Sequence, residues 1–214
     1  MAQKRLSITV AGSGGAGVMT VGNALLEAAG LTGWYAHMVR SSGPQIRGGE
    51  VAAMICLSPE PIASEPAHCD LLLAIDWKNI DRFGDEISLT GNSLVVCDPE
   101  LGQAPASICD SAVRCVEVPL QQLAGTIKGG RPNMVALGVA AQMVGIPRQF
   151  VQATLEKVFQ GDQRVKAAMA GVDAGFAAAP AANGLASLPL PAAPCTRRWS
   201  ITGNEATALG ALHG

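Results

Sequence analysis

Short, almost wholly apolar runs alternate along the chain with stretches whose apolar residues recur every three or four positions. Residues 6–12 (LSITVAG) form one such run and end in a glycine turn, and the spacing over residues 18–29 predicts an amphipathic helix. Residues 33–39 and 49–58 predict a second and a third strand, the latter closed by Pro59 and Pro61. Residues 69–76 (CDLLLAID) and 92–98 (NSLVVCD) are nearly all apolar, as expected of strands covered on both faces of a parallel sheet. Residues 112–119 alternate and predict a weaker strand. Helical periods follow over residues 133–144, 149–159 (with Pro147 near the first turn) and 162–176. Strands separated by helical crossovers define an α/β class: a mostly parallel sheet with flanking helices in a Rossmann-like three-layer arrangement.

The alternation stops at Ala177. Residues 177–194 (AAAPAANGLASLPLPAAP) carry no charge and no helix or strand period, and Pro180, Pro189, Pro191 and Pro194 stiffen them. That is the composition of a mobile or extended linker, without a face to pack. Beyond it the pattern turns helix-like again from Asn204. The expected organisation is an α/β domain over residues 1–176, an Ala/Pro-rich linker over 177–199, and the opening of another domain over 200–214.

Composition narrows the function classes. The 214 residues carry a formal net charge of −2 and 4% aromatics, which gives no basic, aromatic-laced surface for nucleic acid and no attraction to an anionic membrane. No apolar run reaches the roughly 18–20 residues of a membrane span, and the first residues show no signal-peptide pattern, so a cytoplasmic location is expected. The six cysteines, Cys56, Cys69, Cys97, Cys109, Cys115 and Cys195, never form a CxxC pair. Iron–sulfur and zinc sites need clustered thiolates, so reduced structural thiols and no resident metal are expected.

Gly12, Gly14 and Gly17 spell GxGxxG between a strand and a helix, with Ser13 and Gly15 in the same turn. The full dinucleotide fingerprint requires a carboxylate near the end of the second strand. Here that strand runs into Val39, Arg40, Ser41 and Ser42, with no acid before Glu50. Two readings of the turn stay open: a tight connection needed for packing, or a cradle for a different phosphate-bearing ligand at a helix N-terminus. The segment RSSGPQIRGGE (residues 40–50) offers Arg40, Ser41, Ser42, Arg47 and Gly48, and guanidinium forks suit phosphate or carboxylate; the alternative is a solvated connection. His37, His68 and His213 have no evident partner, Ser93 lacks the GxSxG context, and Asp76 and Asp98 sit where carboxylates cap turns. No triad, acid–base pair or metal site assembles, so no catalytic residue is assigned and the chain reads as a binding and assembly module.

Four segments in order, GSGGAGVMTVGNALLEAAG, RSSGPQIRGGE, DLLLAID and NMVALGVAAQMVGIP, resemble the γ domain of 2-oxoacid:ferredoxin oxidoreductases across residues 6–176. TGNEATALGAL resembles the opening of the α region of those enzymes, the pyrimidine-side thiamine diphosphate domain, and in the 2-oxoglutarate type γ precedes α in one subunit. The resemblance implies a share in oxidative decarboxylation of a 2-oxoacid, probed first as 2-oxoglutarate, to an acyl-CoA. Thiamine diphosphate and [4Fe-4S] clusters would reside in the partner α and β parts, and ferredoxin or another acceptor would be reached through the complex. It makes a coenzyme A phosphate the candidate anion for the glycine turn, and Arg47 an interface or CoA-facing cation. The candidate cofactor-binding set is Gly12, Ser13, Gly14, Gly15, Gly17, Arg40, Ser41, Ser42, Arg47 and Gly48. This chain alone is expected to be inactive. The alternatives are an independent NAD(P)- or nucleotide-binding α/β protein and a γ-like subunit of an indolepyruvate oxidoreductase.

Overall fold

In the computed structural model, which describes residues 5–45, 48–78, 80–83, 86–108, 113–185, 187–190 and 199–213, the apolar runs pair into one six-stranded sheet. The strands are β1 (Leu6–Ser13), β2 (Tyr35–Ser42), β3 (Glu50–Ser58), β4 (Leu71–Ala74), β5 (Leu94–Cys97) and β6 (Arg114–Glu117), in the order β2-β3-β1-β4-β5-β6. β4, β5 and β6 extend the sheet in parallel from β1, whereas β3 runs antiparallel to both β1 and β2. Only β3 breaks the common direction, because seven residues between β2 and β3 are too few for a crossover helix.

Every residue of β4 and β5 is buried, and the alternation of side chains explains why both read as unbroken apolar runs. Leu71, Leu73, Leu94 and Val96 enter the large core against the helices. Leu72 and Val95 enter a smaller core on the opposite face with Ile80, Phe83, Ile87 and Ile108. α1 (Val18–Thr32), α2 (Leu120–Gly125), α3 (Pro132–Val144), α4 (Arg148–Val158) and α5 (Asp162–Ala178) all contribute to the large core. The expected third layer is therefore uneven: short 3₁₀ turns and loops, including Ile80–Phe83, cover the second face. α2 went unforeseen because six residues are too few to display a helical period.

α3 is buried almost all round, as a helix at the centre of a helical layer must be. Its closest neighbour is α5, and small residues allow the approach. A methyl group at Gly175 would sit 2.1 Å from the Val135 carbonyl oxygen, and one at Gly138 would sit 2.1 Å from that of Val172.

Two expectations need correction. The residues after α5 were expected to lack a packing face, yet Ala179, Ala182 and Leu185 lie against the large core and Leu188 is 5% exposed. The indole Nε1–H of buried Trp34 donates to the Pro189 carbonyl at 2.9 Å, and Arg114 donates to the Asn183 carbonyl. The segment is extended, as its prolines dictate, but docked; residues 191–198 lie outside the described residues. The second correction concerns the thiols. Cys56, Cys69 and Cys97 are free and buried, but Cys115, on the exposed edge strand β6, is disulfide-bonded. Cys115 is exposed on β6 and so accessible to a second cysteine, whereas Cys56, Cys69 and Cys97 are buried.

α6 (Gly203–His213) buries none of its residues. A reciprocal cap starts it: Glu205 accepts from the Thr202 amide at 2.7 Å, and the Glu205 amide donates to the Thr202 hydroxyl at 3.2 Å.

Candidate functional site

Where β1 and β4 end side by side, successive connections leave the sheet in opposite directions, the place where open α/β sheets form a ligand crevice. A cleft of about 720 Å³ lies there. Its wall is the turn from Ser13 to Gly17 together with the first turn of α1, and its far side is Gln121, Arg131, Pro132 and Asn133, at the starts of α2 and α3.

The turn is built for close approach. Gly17 has φ +91°, a left-handed conformation that disfavours a side chain, and a Cβ there would fall 2.1 Å from Asn133 Nδ2. The N-termini of α1 and α3 therefore converge at a contact that only glycine permits. Neither helix has a side-chain cap or an acidic residue in its first turn, so their free amides and positive dipole ends face the cleft uncompensated. α2 differs: Asp98, fully buried, accepts from the Gln121 amide at 2.7 Å and from the Glu100 amide at 3.0 Å.

Asp76 is the acidic group lining the cleft, and its oxygens are committed. Oδ2 accepts from the Ser13 amide at 3.0 Å and the Ser13 hydroxyl at 2.7 Å, and Oδ1 accepts from the Lys78 amide at 3.0 Å. It binds the glycine turn to the end of β4 and is a structural carboxylate, as Asp98 is, in line with the capping role expected of both. The β2–β3 hairpin ties in from the other side. Gly14 donates to the Gly49 carbonyl at 2.7 Å and accepts from the Gly48 amide at 3.2 Å. Buried Glu50, at the hairpin base, pairs with Arg82 at 2.9 Å.

Of the residues singled out in the sequence, Ser13, Gly14, Gly15 and Gly17 line the cleft. Gly12 lies beneath it, packed against Val18 and Asp76. Gly48 meets Gly14 through the backbone. Arg40, Ser41 and Ser42 are on β2, two strands away from β1, and Arg40 points along α1 to Asn23, 3.4 Å distant. Arg47 falls outside the described residues. Sequence reading missed Arg131 and Asn133. The signal was present in GGRPN, where Pro132 marks a first helical turn and makes the residues around it the mouth of an anion-facing helix start.

A free-standing NAD site finds no support in this geometry. The strand beside β1 is antiparallel β3, so the parallel second strand that would carry the ribose-binding carboxylate is not in place.

Residues 7–178 match the family described as pyruvate ferredoxin/flavodoxin oxidoreductase, and the chain belongs to that family. It is 26% identical over 162 residues to the ketoisovalerate oxidoreductase subunit VorA of Methanothermobacter thermautotrophicus, covering 74% of this chain and 33% of that one. It is 30% identical over 153 residues to the 2-oxoglutarate synthase subunit KorC of the same organism, covering 68% of this chain and 80% of KorC. Among solved structures, it superposes with a TM-score of 0.76 and 24% identity on the 2-oxoglutarate:ferredoxin oxidoreductase of Magnetococcus marinus, solved with 2-oxoglutarate, coenzyme A and succinyl-CoA bound, over 90% of this chain and 34% of that one. It also superposes on the γ subunit of a keto/oxoacid ferredoxin oxidoreductase from Geobacter sulfurreducens, with a TM-score of 0.65 and 22% identity over 81% and 98% of the two chains. The chain thus spans about a third of the longer relatives and most of the γ-sized ones. These superpositions establish a shared fold.

Proposed function

We propose that this chain is the γ module of a 2-oxoacid:ferredoxin oxidoreductase that forms an acyl-CoA, with 2-oxoglutarate the 2-oxoacid to test first, and that it receives a phosphate of coenzyme A. The observation that carries the reading is the cleft at the glycine turn, where two uncapped helix N-termini converge without a free carboxylate. Arg131 stands at its rim with a guanidinium that forms no ion pair with a described residue. Backbone amides would hold the phosphate from below, and Arg131 would close over it as a fork. Arg47 and the β2–β3 hairpin would supply a second cation or an interface contact.

In this reading residues 1–176 are the γ part, 177–199 connect, and 200–214 belong to the α region. Thiamine diphosphate and [4Fe-4S] clusters are supplied by α and β parts, ferredoxin accepts the electrons, and the complex works in the cytoplasm. Among the described residues no group of three or more His, Cys, Asp or Glu could hold a metal ion, and no helix is long and apolar enough to cross a membrane.

Arg131→Gln in the assembled oxidoreductase tests the proposal. The apparent KM for coenzyme A should rise by the equivalent of about 1.5–3 kcal/mol, the worth of a charge-assisted hydrogen bond. Decarboxylation of the 2-oxoacid in the absence of coenzyme A should stay unchanged. Loss of assembly with an unaltered KM in the remaining complex would make Arg131 an interface residue and remove phosphate binding from this cleft.

A further inference from the structure

β2 closes one end of the sheet, so one side of it pairs with β3 and the other side is an edge. The ladder fixes which peptide groups that edge presents. Just beyond it, Gly43 donates to the Glu50 carbonyl at 3.0 Å, so direct exchange with β3 falls on every second residue from there: Ser41, Val39, His37 and Tyr35. The N–H and C=O groups of Ala36, Met38, Arg40 and Ser42 therefore point away from the sheet, and no described backbone group bonds to them.

An open edge is a template for another strand, and proteins usually blunt it. β6, the opposite edge, is four residues long and exposed, with Arg114 and Glu117 at its ends, and Arg114 donates to the Asn183 carbonyl. β2 lacks these devices. Its eight residues pair with eight on β3 without a bulge, and they include no proline and no acid. Its guanidinium, on Arg40, is laid over α1 within 3.4 Å of Asn23. Ala36 and Met38 pack toward the helices, while His37 and Val39 line a small hollow with Met54 on the other face.

We infer that this edge pairs with itself: two copies of the chain join β2 to β2, antiparallel, about a two-fold axis through Val39. The strand selects that register. A two-fold pair must match outward residues with outward residues, so the registers of greatest overlap set the axis on Met38, Val39 or Arg40. With the axis on Met38, Ser42 faces Trp34, whose N–H already donates to the Ala29 carbonyl at 3.1 Å. With the axis on Arg40, two guanidinium groups stand opposite each other. With the axis on Val39, Met38 meets Arg40 and Ala36 meets Ser42, no like charges oppose, and every outward group is used, about eight bonds in all. The two Val39 side chains then touch at the axis, where a non-hydrogen-bonded pair brings them closest. Pairing consumes the one long edge each chain has and leaves only the short, charged β6 edges, so the assembly closes as a dimer.

Sedimentation equilibrium of the full chain from about 1 to 100 µM tests this. The mass of two chains is expected at the top of that range, with amide exchange over residues 36–42 slower there than at the bottom. Val39→Lys and Val39→Glu each set like charges together at the axis and should weaken dimerisation about fivefold or more. An equimolar mixture of the two variants should restore it, as a heterodimer. A single-chain mass throughout overturns the inference, and so does a dimer in which residues 36–42 exchange as fast as in the monomer. A mixture that pairs no better than its components, with both variants keeping the native circular dichroism spectrum, overturns it as well. If the variants lose that spectrum, the exchange measurement on the unaltered chain decides.

Discussion

Leu188 tests the least expected feature of the fold, the docking of an Ala/Pro-rich segment that looked free in the sequence. Its side chain is 5% exposed and belongs to the large core, while its neighbour Leu190 is 61% exposed. Truncation of Leu188 to alanine removes a transfer free energy of about 2 kcal/mol. A fixed core site would add a cavity cost, giving about 2–5 kcal/mol in all. The walls here can relax, because an extended segment without helix or sheet partners lies on one side. The lower end, about 2 kcal/mol, is therefore expected. If undocking also breaks the bond from Trp34 to Pro189, roughly 1 kcal/mol more is at stake. Guanidinium unfolding followed by circular dichroism gives the global cost, and limited proteolysis gives the local one. Leu188→Ala should lower stability by that amount or, if the segment releases on its own, speed cleavage within residues 179–190 several-fold at an unchanged midpoint. Leu190→Ala is the internal control and should stay within about 0.5 kcal/mol. If the two variants behave alike in both assays, Leu188 is not docked and the segment is the free linker that its composition suggested.

The α3–α5 contact predicts that Gly175→Ala, whose methyl would lie 2.1 Å from a backbone carbonyl oxygen, costs about 3 kcal/mol in a urea melt. Gly30→Ala in α1 meets nothing within 4 Å and should be neutral or stabilising by up to about 1 kcal/mol. Burial pushes the Cys69 thiol up to about 11, with a hydrogen bond to Thr9 as a partial offset. Cys69 should therefore resist a thiol reagent at pH 8 in the native protein and react once the chain unfolds. The folded state holds this proton more tightly than the unfolded state, whose thiol titrates near 9.0, so the contribution is complete below that pH. It is lost as pH rises toward 11, on the order of 2–3 kcal/mol, and an alkaline denaturation curve of a Cys69→Ala variant should lack that component.

How much of this was legible depended on the range over which each signal acts. β4 and β5 could be read because burial on both faces writes itself into consecutive residues. The glycine turn could be read because strand, turn and helix are contiguous. The direction of β3 is a pairing property: Leu6 opposite Leu57 and Ser13 opposite Glu50 arise across more than thirty residues of chain, and local pattern says nothing of them. The other wall of the cleft was hidden for the same reason. Arg131 and Asn133 lie over 110 residues from Gly17, and only the packing of α3 under α1 brings them together. Arg40 misled in the opposite sense, since closeness in sequence to a glycine-rich loop carried no information about which side of the sheet it would face.

Taken together, the bonds around the cleft divide it into a fixed side and an adaptable side. On the fixed side Asp76 holds Ser13 by two bonds, Gly14 exchanges backbone bonds with Gly48 and Gly49, and Gly17 is locked against Asn133. Amides held this way need no ordering when an anion arrives, so little of their interaction is spent on conformational entropy. On the other side stand long cations, Arg131 nearest, with Lys128, Arg164 and Lys166 beyond, all exposed and without a described acid to restrain them. Each would lose rotamer freedom on binding, which weakens its net contribution but lets it follow a ligand that moves. Under the proposed function, a module that receives a coenzyme, presents its reactive end to a centre in another part of the enzyme and releases the product would benefit from that division. In that reading the fixed amides would set where the phosphate sits, and the exposed cations would let the remainder enter and leave. The same division predicts the kinetics: charge loss at the rim should act mainly through entry rate and salt dependence, and damage to the glycine turn through the rate of release.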